Sequence, residues 1–459
     1  MTQKFLNKKA ATNLLSNLGN EFVVIQNPSY IHPGYEVVPL AAKLYKPSKK
    51  IAAAVMDMDG TTTTTEELCI HSLEFMVRKI TGRMNKSVWI GLDHEKDYPH
   101  IIGNSTTKHV EYLIRTYQPF IKIEEVKKSF IFAALWTLII GKDESRKEEI
   151  KTNLHGLGCS DLLSDDKFLN LTKSKKVLKD FADSLAYFQK KYTAKLKVDS
   201  QSKVVRAGID IYYQRYHEIL LEITKGKSSK LAEELLGDKN KHLIEPLPGV
   251  GIFLALTKGL LGNEAGKLSS LIIHHYHLKN PKAKYKFNER EVERKLLNLS
   301  RYLSANPLKV GVVTSSIFYE ANIVLTEVFR ILKQEVKQWN ISSSRKQMII
   351  DKFETYQKYY DGFVTASDSN EIRLKPHRDL YSIALHKLAV PKNDFNKVIG
   401  FEDSESGTIA IRAAGIGRAV AVPFAKTEGH NLDAASYISQ GGLPEIILKK
   451  NLFISLKSL

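Results

Sequence analysis

Ile51-Ala52-Ala53-Ala54-Val55-Met56-Asp57-Met58-Asp59-Gly60-Thr61 is the stretch on which the reading of this chain turns. The apolar run predicts a strand buried on both faces. Two carboxylates two positions apart follow it, then a Gly that lets the backbone turn sharply. Such a device suits phosphoryl transfer. One carboxylate can attack phosphorus and form an aspartyl-phosphate, while the other supplies or removes the proton of the leaving oxygen.

Outward from this strand the chain divides by pattern. Residues 1–50 read as an N-terminal extension punctuated by turns at Pro28, Pro33, Gly34 and Pro39. From 67 to 245 the pattern is almost wholly helical, with helices expected from Asn104-Ser105 to about Tyr117, over 126–140, over 172–191 and over 206–224. Strand-like runs return at Val310-Gly311-Val312-Val313, 362–365, 398–401 and 419–422, separated by helical segments. Strand alternating with helix predicts an α/β core around a parallel sheet, with its site beyond the carboxyl ends of the strands. The core therefore spans 51–66 and 246–459, with helical expansions at about 262–307 and 331–360, and the block 67–245 is an insertion after the first strand. Pro246-Leu247-Pro248-Gly249 marks the return to the core.

Bulk properties narrow the class. A length of 459 residues predicts more than one domain, and 43% hydrophobic content excludes general disorder. The first twenty residues lack the apolar segment of a signal peptide, no run is long enough to span a membrane, and the two cysteines, Cys69 and Cys159, build no disulfide framework. A soluble cytoplasmic protein with no membrane partner is the expectation. The formal charge of +18 is concentrated in 173–203 and 279–295, away from the candidate site. Neither stretch has the Gly-aromatic pattern of RNA binders or zinc-finger spacing, so they read as solvated helix faces that steer anions rather than as a nucleic-acid surface.

Three later segments complete a set with the first. They are Val312-Val313-Thr314-Ser315-Ser316, Lys375-Pro376-His377-Arg378-Asp379-Leu380-Tyr381 and Phe401-Glu402-Asp403-Ser404-Glu405-Ser406-Gly407. Jointly they resemble the haloacid dehalogenase (HAD) superfamily, in its phosphatase and beta-phosphoglucomutase-like branch with a helical cap after the first motif. The resemblance implies a Rossmannoid core with a helical cap domain, Asp57 as nucleophile and Asp59 as general acid and base. It implies Thr314 and Ser315 as phosphate binders, through a hydroxyl and main chain, and Lys375 as the cation offsetting charge on the transferring group. Unit charges at 4 Å repel by about 1 kcal/mol in water and by several times more in a drier site, so such a cation matters. Pro376 is expected to open a helix at its favoured first position. Mg2+ is the implied cofactor. Asp57, the Asp59 main-chain carbonyl and Asp403 would be its ligands, with Glu402 and Ser404 behind them and Glu402 holding a metal-bound water. Small residues at Ala410, Ala413, Ala414 and Gly415 let the following helix pack tightly on the sheet.

The resemblance thins on the cap side. Where relatives carry apolar residues, an acid and a His after the first motif, this chain has Thr62, Thr63, Thr64 and Cys69, with His71 nearby. Asn104, Lys108 and His109 resemble a substrate-contacting loop and helix start. Other apparent motifs fail. Gly262 to Lys267 lacks P-loop spacing and its Ser/Thr, and His274, His275 and His277 have no carboxylate or Cys to complete a metal set. The expected activity is a phosphatase acting on a small phosphorylated metabolite, such as a sugar or polyol phosphate, under a closing helical lid. A phosphomutase of the beta-phosphoglucomutase type uses the same residues. A non-catalytic HAD-like scaffold would be favoured by loss of a motif acid, and none is lost.

Overall fold

The computed structural model describes residues 5–27, 32–83, 87–93, 95–101, 106–174, 176–369, 373–424 and 431–459. The chain forms two compact units, Met1–Thr65 with Ile244–Leu459, and Glu66–Leu243. The first is an α/β unit. Its strands are β1 (Phe22–Gln26), β2 (Tyr35–Pro39), β3 (Ala53–Asp57), β4 (Thr63–Thr64), β5 (Glu245–Pro246), β6 (Lys309–Val313), β7 (Gly362–Val364), β8 (Val398–Glu402), β9 (Ala419–Ala421) and β10 (Tyr437–Ile438).

Six of them make a parallel sheet in the order β10-β9-β8-β3-β6-β7. The strand β3 lies near its middle, and every residue from Ala53 to Asp57 is buried. Its register places Asp57 opposite Val313 on one side and Met56 opposite Phe401 on the other. After β3 the chain builds outward through β6 and β7, then crosses back to build β8, β9 and β10 on the other flank. The strand order reverses at β3, the place where open α/β sheets leave a crevice at their carboxyl ends.

Both faces are covered. Helices Asp379–Lys387 and Glu405–Ala413 pack Leu380, Ala384, Ala410 and Ile411 onto Val55, Val313 and Val398. On the opposite face, helix Val250–Thr257 is buried along its whole length, with Phe253 edge-on to Phe401 at 5.3 Å. Small side chains on helix Glu405–Ala413 permit the close approach, as expected. The α/β reading with a parallel sheet and a large helical insertion is correct.

The helical unit centres on Gln201–Thr224, whose Gly208 faces Met76, Val110 and Ile114 closely enough that a Cβ there would meet them at 3.0–3.4 Å. Among the described residues no helix is long and apolar enough to cross a membrane.

Three local expectations need correction. Residues 1–50 are more than turns: helix Lys8–Leu18 precedes an antiparallel ribbon of β1 and β2. The single helix over 172–191 is two, ending at Thr172 and resuming at Val177. Between them the Ser174 hydroxyl accepts from the Lys176 N–H and donates to Asp180, offering the backbone an alternative to helix. Pro376 does not open a helix either. The His377 N–H closes a turn onto Leu374 O, and the helix begins only at Asp379.

Candidate active site

The carboxyl end of β3 is a sharp turn held by its own threonines. Thr62 and Thr63 N–H groups donate to Met58 O, and the Thr62 hydroxyl donates to Asp57 O at 2.6 Å. Gly60 sits at φ +75°, and a Cβ there would fall 2.2 Å from an Asp403 carboxylate oxygen. Only Gly lets this turn lie against the loop after β8. Three adjacent strands thereby deliver Asp57 and Asp59 from β3, Thr314 from β6, and Glu402 and Asp403 from β8.

Asp57 is buried, and the Lys375 ammonium pairs with its Oδ1. Lys375 also lies 2.6 Å from Glu402 Oε1, with all three side chains nearly sealed from solvent. Glu402 is fully engaged. Its Oε1 further accepts from the Tyr381 hydroxyl at 3.1 Å, and its Oε2 accepts from Ser404 Oγ at 2.9 Å and from the N–H groups of Asp403 and Ser404. A Cβ at Gly407 would overlap the Glu402 carboxyl at 1.8 Å, so helix Glu405–Ala413 starts hard against this group, capped by Ser404. Burial would by itself lower the Lys375 pKa, but Asp57 and Glu402 outweigh it and hold the ammonium charged. Burial pushes Asp57 well above the usual carboxylate range, and Glu402 adds to the shift while Lys375 opposes it.

Asp59 points elsewhere. Its Oδ1 accepts from the Thr65 hydroxyl at 2.6 Å, and its Oδ2 from Ser316 at 3.3 Å and Thr314 at 3.4 Å. Burial raises its pKa, against the pull of Thr65 and Lys375. A carboxyl held near hydroxyls with a raised pKa is fitted to carry a proton that it can give up.

Asp57, Glu402 and Asp403 each offer an oxygen within 4.8 Å of the others. Three carboxyl groups converge on one ammonium in a buried site. Such a set of hard oxygens fits a divalent cation of the magnesium type. The Asp59 carboxylate is outside this cluster.

Of the remaining sequence candidates, Ser315 is exposed at the end of β6, Lys108 is exposed on its helix and His109 is buried beside Val110. Asn104 lies outside the described residues. Sequence reasoning missed Thr65, Ser316 and Tyr381. Their available signal was spacing: Thr65 is the last of five consecutive threonines, and Tyr381 lies one turn into the helix after Lys375.

No protein-family model matches the sequence, and neither does any curated protein. Among solved structures, the chain is similar to CbbY from Rhodobacter sphaeroides in complex with phosphate, at 13% identity and a TM-score of 0.36, covering 86% of this chain and 96% of that one. It is similar also to beta-phosphoglucomutase from Clostridium difficile, at 14% identity and a TM-score of 0.35, covering 86% and 93%. Likenesses at that level do not identify a family.

Proposed function

We propose that this chain is a magnesium-dependent phosphatase of the HAD type, acting on a small organic phosphate such as a sugar or polyol phosphate. One observation carries the reading: Asp57, its Lys375 partner and the acids after β8 converge at the carboxyl end of the central strand, with Asp59 held apart among hydroxyls.

Asp57, Asp403 and the Asp59 main-chain carbonyl would hold the metal, which supplies positive charge against the phosphoryl oxygens. Asp57 Oδ attacks phosphorus, forming an acyl-phosphate bond as the bond from phosphorus to the leaving oxygen breaks. Asp59 gives its proton to that oxygen, releasing the alcohol. It then takes a proton from water, whose oxygen attacks phosphorus and frees Asp57 with inorganic phosphate. Lys375 holds Asp57 in position and offsets negative charge on the transferring group, while the Thr314 hydroxyl and Ser315 main chain receive its oxygens. Glu402 fixes Lys375 in turn.

A panel of phosphorylated metabolites, assayed with and without magnesium, tests the proposal. Release of inorganic phosphate is the expected result. Conversion of a sugar monophosphate to its isomer, without phosphate release, would replace the phosphatase reading with a phosphomutase. No turnover of any member would overturn both.

A further inference from the structure

Among the described residues, the loop carrying Lys375 has little main-chain bonding of its own. Residues 373–378 belong to no helix or strand, and their one internal main-chain bond is His377 N–H to Leu374 O. Besides the Lys375 pairs with Asp57 and Glu402, a side-chain tie reaches the loop from the N-terminal ribbon. Arg373, two residues before Lys375, forks onto Glu36 of β2, with Nη1 to Oε1 at 2.9 Å and Nη2 to Oε2 at 3.2 Å. Its Nε lies 2.9 Å from Oδ2 of Asp379, the first residue of the helix after the loop. One guanidinium thus hydrogen-bonds the ribbon and lies within ion-pair range of the helix that follows the loop, with no hydrogen bond from its Nε among the described residues.

The ribbon is itself firmly seated. The buried Arg412 binds Glu21 at 2.5 Å and Ala41 O at 2.5–2.9 Å, and Ala41 N–H donates back to Arg412 O. Leu44 N–H then bonds Gly417 O. The anchorage at Glu21 and Ala41 brackets β1 and β2, so Glu36 is presented from a fixed frame. A bidentate carboxylate–guanidinium pair sets orientation as well as distance, which a lysine or a single hydrogen bond does not.

We propose that the N-terminal ribbon is a working part of the site, with Glu36 a positioning residue that acts through Arg373 to aim Lys375 at Asp57 and Glu402. The proposal rests on the phosphatase reading for its kinetic consequence, but its structural consequence is independent of it. A pair with side chains 29% and 37% exposed adds little to global stability. Its effect is local, because a displacement of about 1 Å at a catalytic group can cost about a hundredfold in rate.

The test uses the full chain with Glu36→Gln, which loses the charge and one arm of the fork, and Glu36→Asp, which keeps the charge at shorter reach. Amide hydrogen exchange at His377 and Ser382, whose N–H groups bond Leu374 and Arg378, should rise several-fold in Glu36→Gln, with the β3 amides unchanged. On the best metabolite, kcat should fall about tenfold with KM moving less than about twofold, and Glu36→Asp should recover part of the loss. Should Glu36→Gln fail to fold, Arg373→Lys, which keeps the charge and loses the fork, carries the same measurements. Unchanged exchange at His377 in the loop and Ser382 in the helix that follows it would overturn the proposal, as would exchange raised equally throughout the core. An inactive wild-type protein would defeat the phosphatase reading alone, and the exchange measurement would still decide the role of Glu36.

Discussion

Both units bury aspartates, and they treat them in opposite ways. In the helical unit Asp165 accepts from Lys191 at 2.6 Å, Tyr192 at 2.7 Å, Tyr187 at 3.1 Å and the Lys167 N–H at 2.8 Å. Burial would raise its pKa, but these donors outweigh burial and hold it well below the ordinary carboxylate range. Asp97 is served similarly by Tyr112, Tyr117 and the Asp93 N–H. In the core, burial raises the Asp57 pKa and the nearby Glu402 and Asp59 add to the rise, with the single Lys375 ammonium opposing them. A carboxylate surrounded by donors is a structural tie. One surrounded by its own kind is held there at a cost, which makes such clusters candidates for chemistry.

Replacing Asp57 by Asn gives the largest contrast. Phosphate release should disappear, while the melting temperature should stay level or rise, since a carboxyl whose ionised form burial disfavours is replaced by a neutral amide of the same shape. A fall in melting temperature with activity retained would place Asp57 with Asp165 as a structural group. Chelation comes next. EDTA should abolish turnover and magnesium restore it, and Asp403→Ala should reproduce the chelated state in assays at low micromolar magnesium. Full activity in EDTA would remove the metal from the account.

The same comparison predicts loss of stability from the other unit. Asp165→Ala leaves the Tyr192 hydroxyl buried without its acceptor and should cost about 1–3 kcal/mol in denaturant unfolding, with activity unaffected at permissive temperature. A neutral result would show that the tyrosines find other partners. Asp210 sharpens the contrast within the helical unit. It is buried with one oxygen bonded to Asn153 at 2.7 Å and the other unpartnered, and burial pushes its pKa up to about 7. A folded pKa raised above the unfolded value means that the folded state holds its proton longer. The contribution of Asp210 to stability is therefore greatest below about pH 4, declines as pH rises toward 7 and is level above it. Asp210→Asn should flatten that slope and add on the order of 2 kcal/mol at pH 8. Urea midpoints across this range, equal for both proteins at every pH, would contradict the assignment.

Much of the fold is legible in the sequence because a parallel sheet writes itself as separated apolar runs. The runs at 51–56, 310–313, 398–401 and 419–422 each carry near-continuous Val, Ile, Ala and Phe, and that pattern has few alternatives. The N-terminal ribbon was not legible for the opposite reason. Val24, Tyr35 and Val37 face solvent while Ile25 is buried, so its strands alternate too weakly against flanking prolines. In the site, the motif acids stand out by spacing, but the pairing of Glu36 with Arg373, 337 residues apart, is encoded by no local pattern. Between Thr172 and Val177 the Ser174 hydroxyl bonds the Lys176 N–H and Asp180, a local competition that periodicity does not see.

The pairing of Ala53 with Lys309 has a consequence for how the chain is made. During synthesis β3 emerges early, yet both strands that flank it come only after the whole helical unit has been translated. At typical elongation rates that leaves roughly ten to fifty seconds in which an apolar strand waits with both edges unpaired. The helical unit has its own dense interior and can fold within that interval, drawing its two ends together before β6 arrives. The antiparallel pair β4–β5, Thr63 against Pro246 and Thr64 against Glu245, joins those ends and shortens the loop that β6 must close. The insertion then serves as a clock for assembly: the sheet can pair β3 only after its guest has been translated.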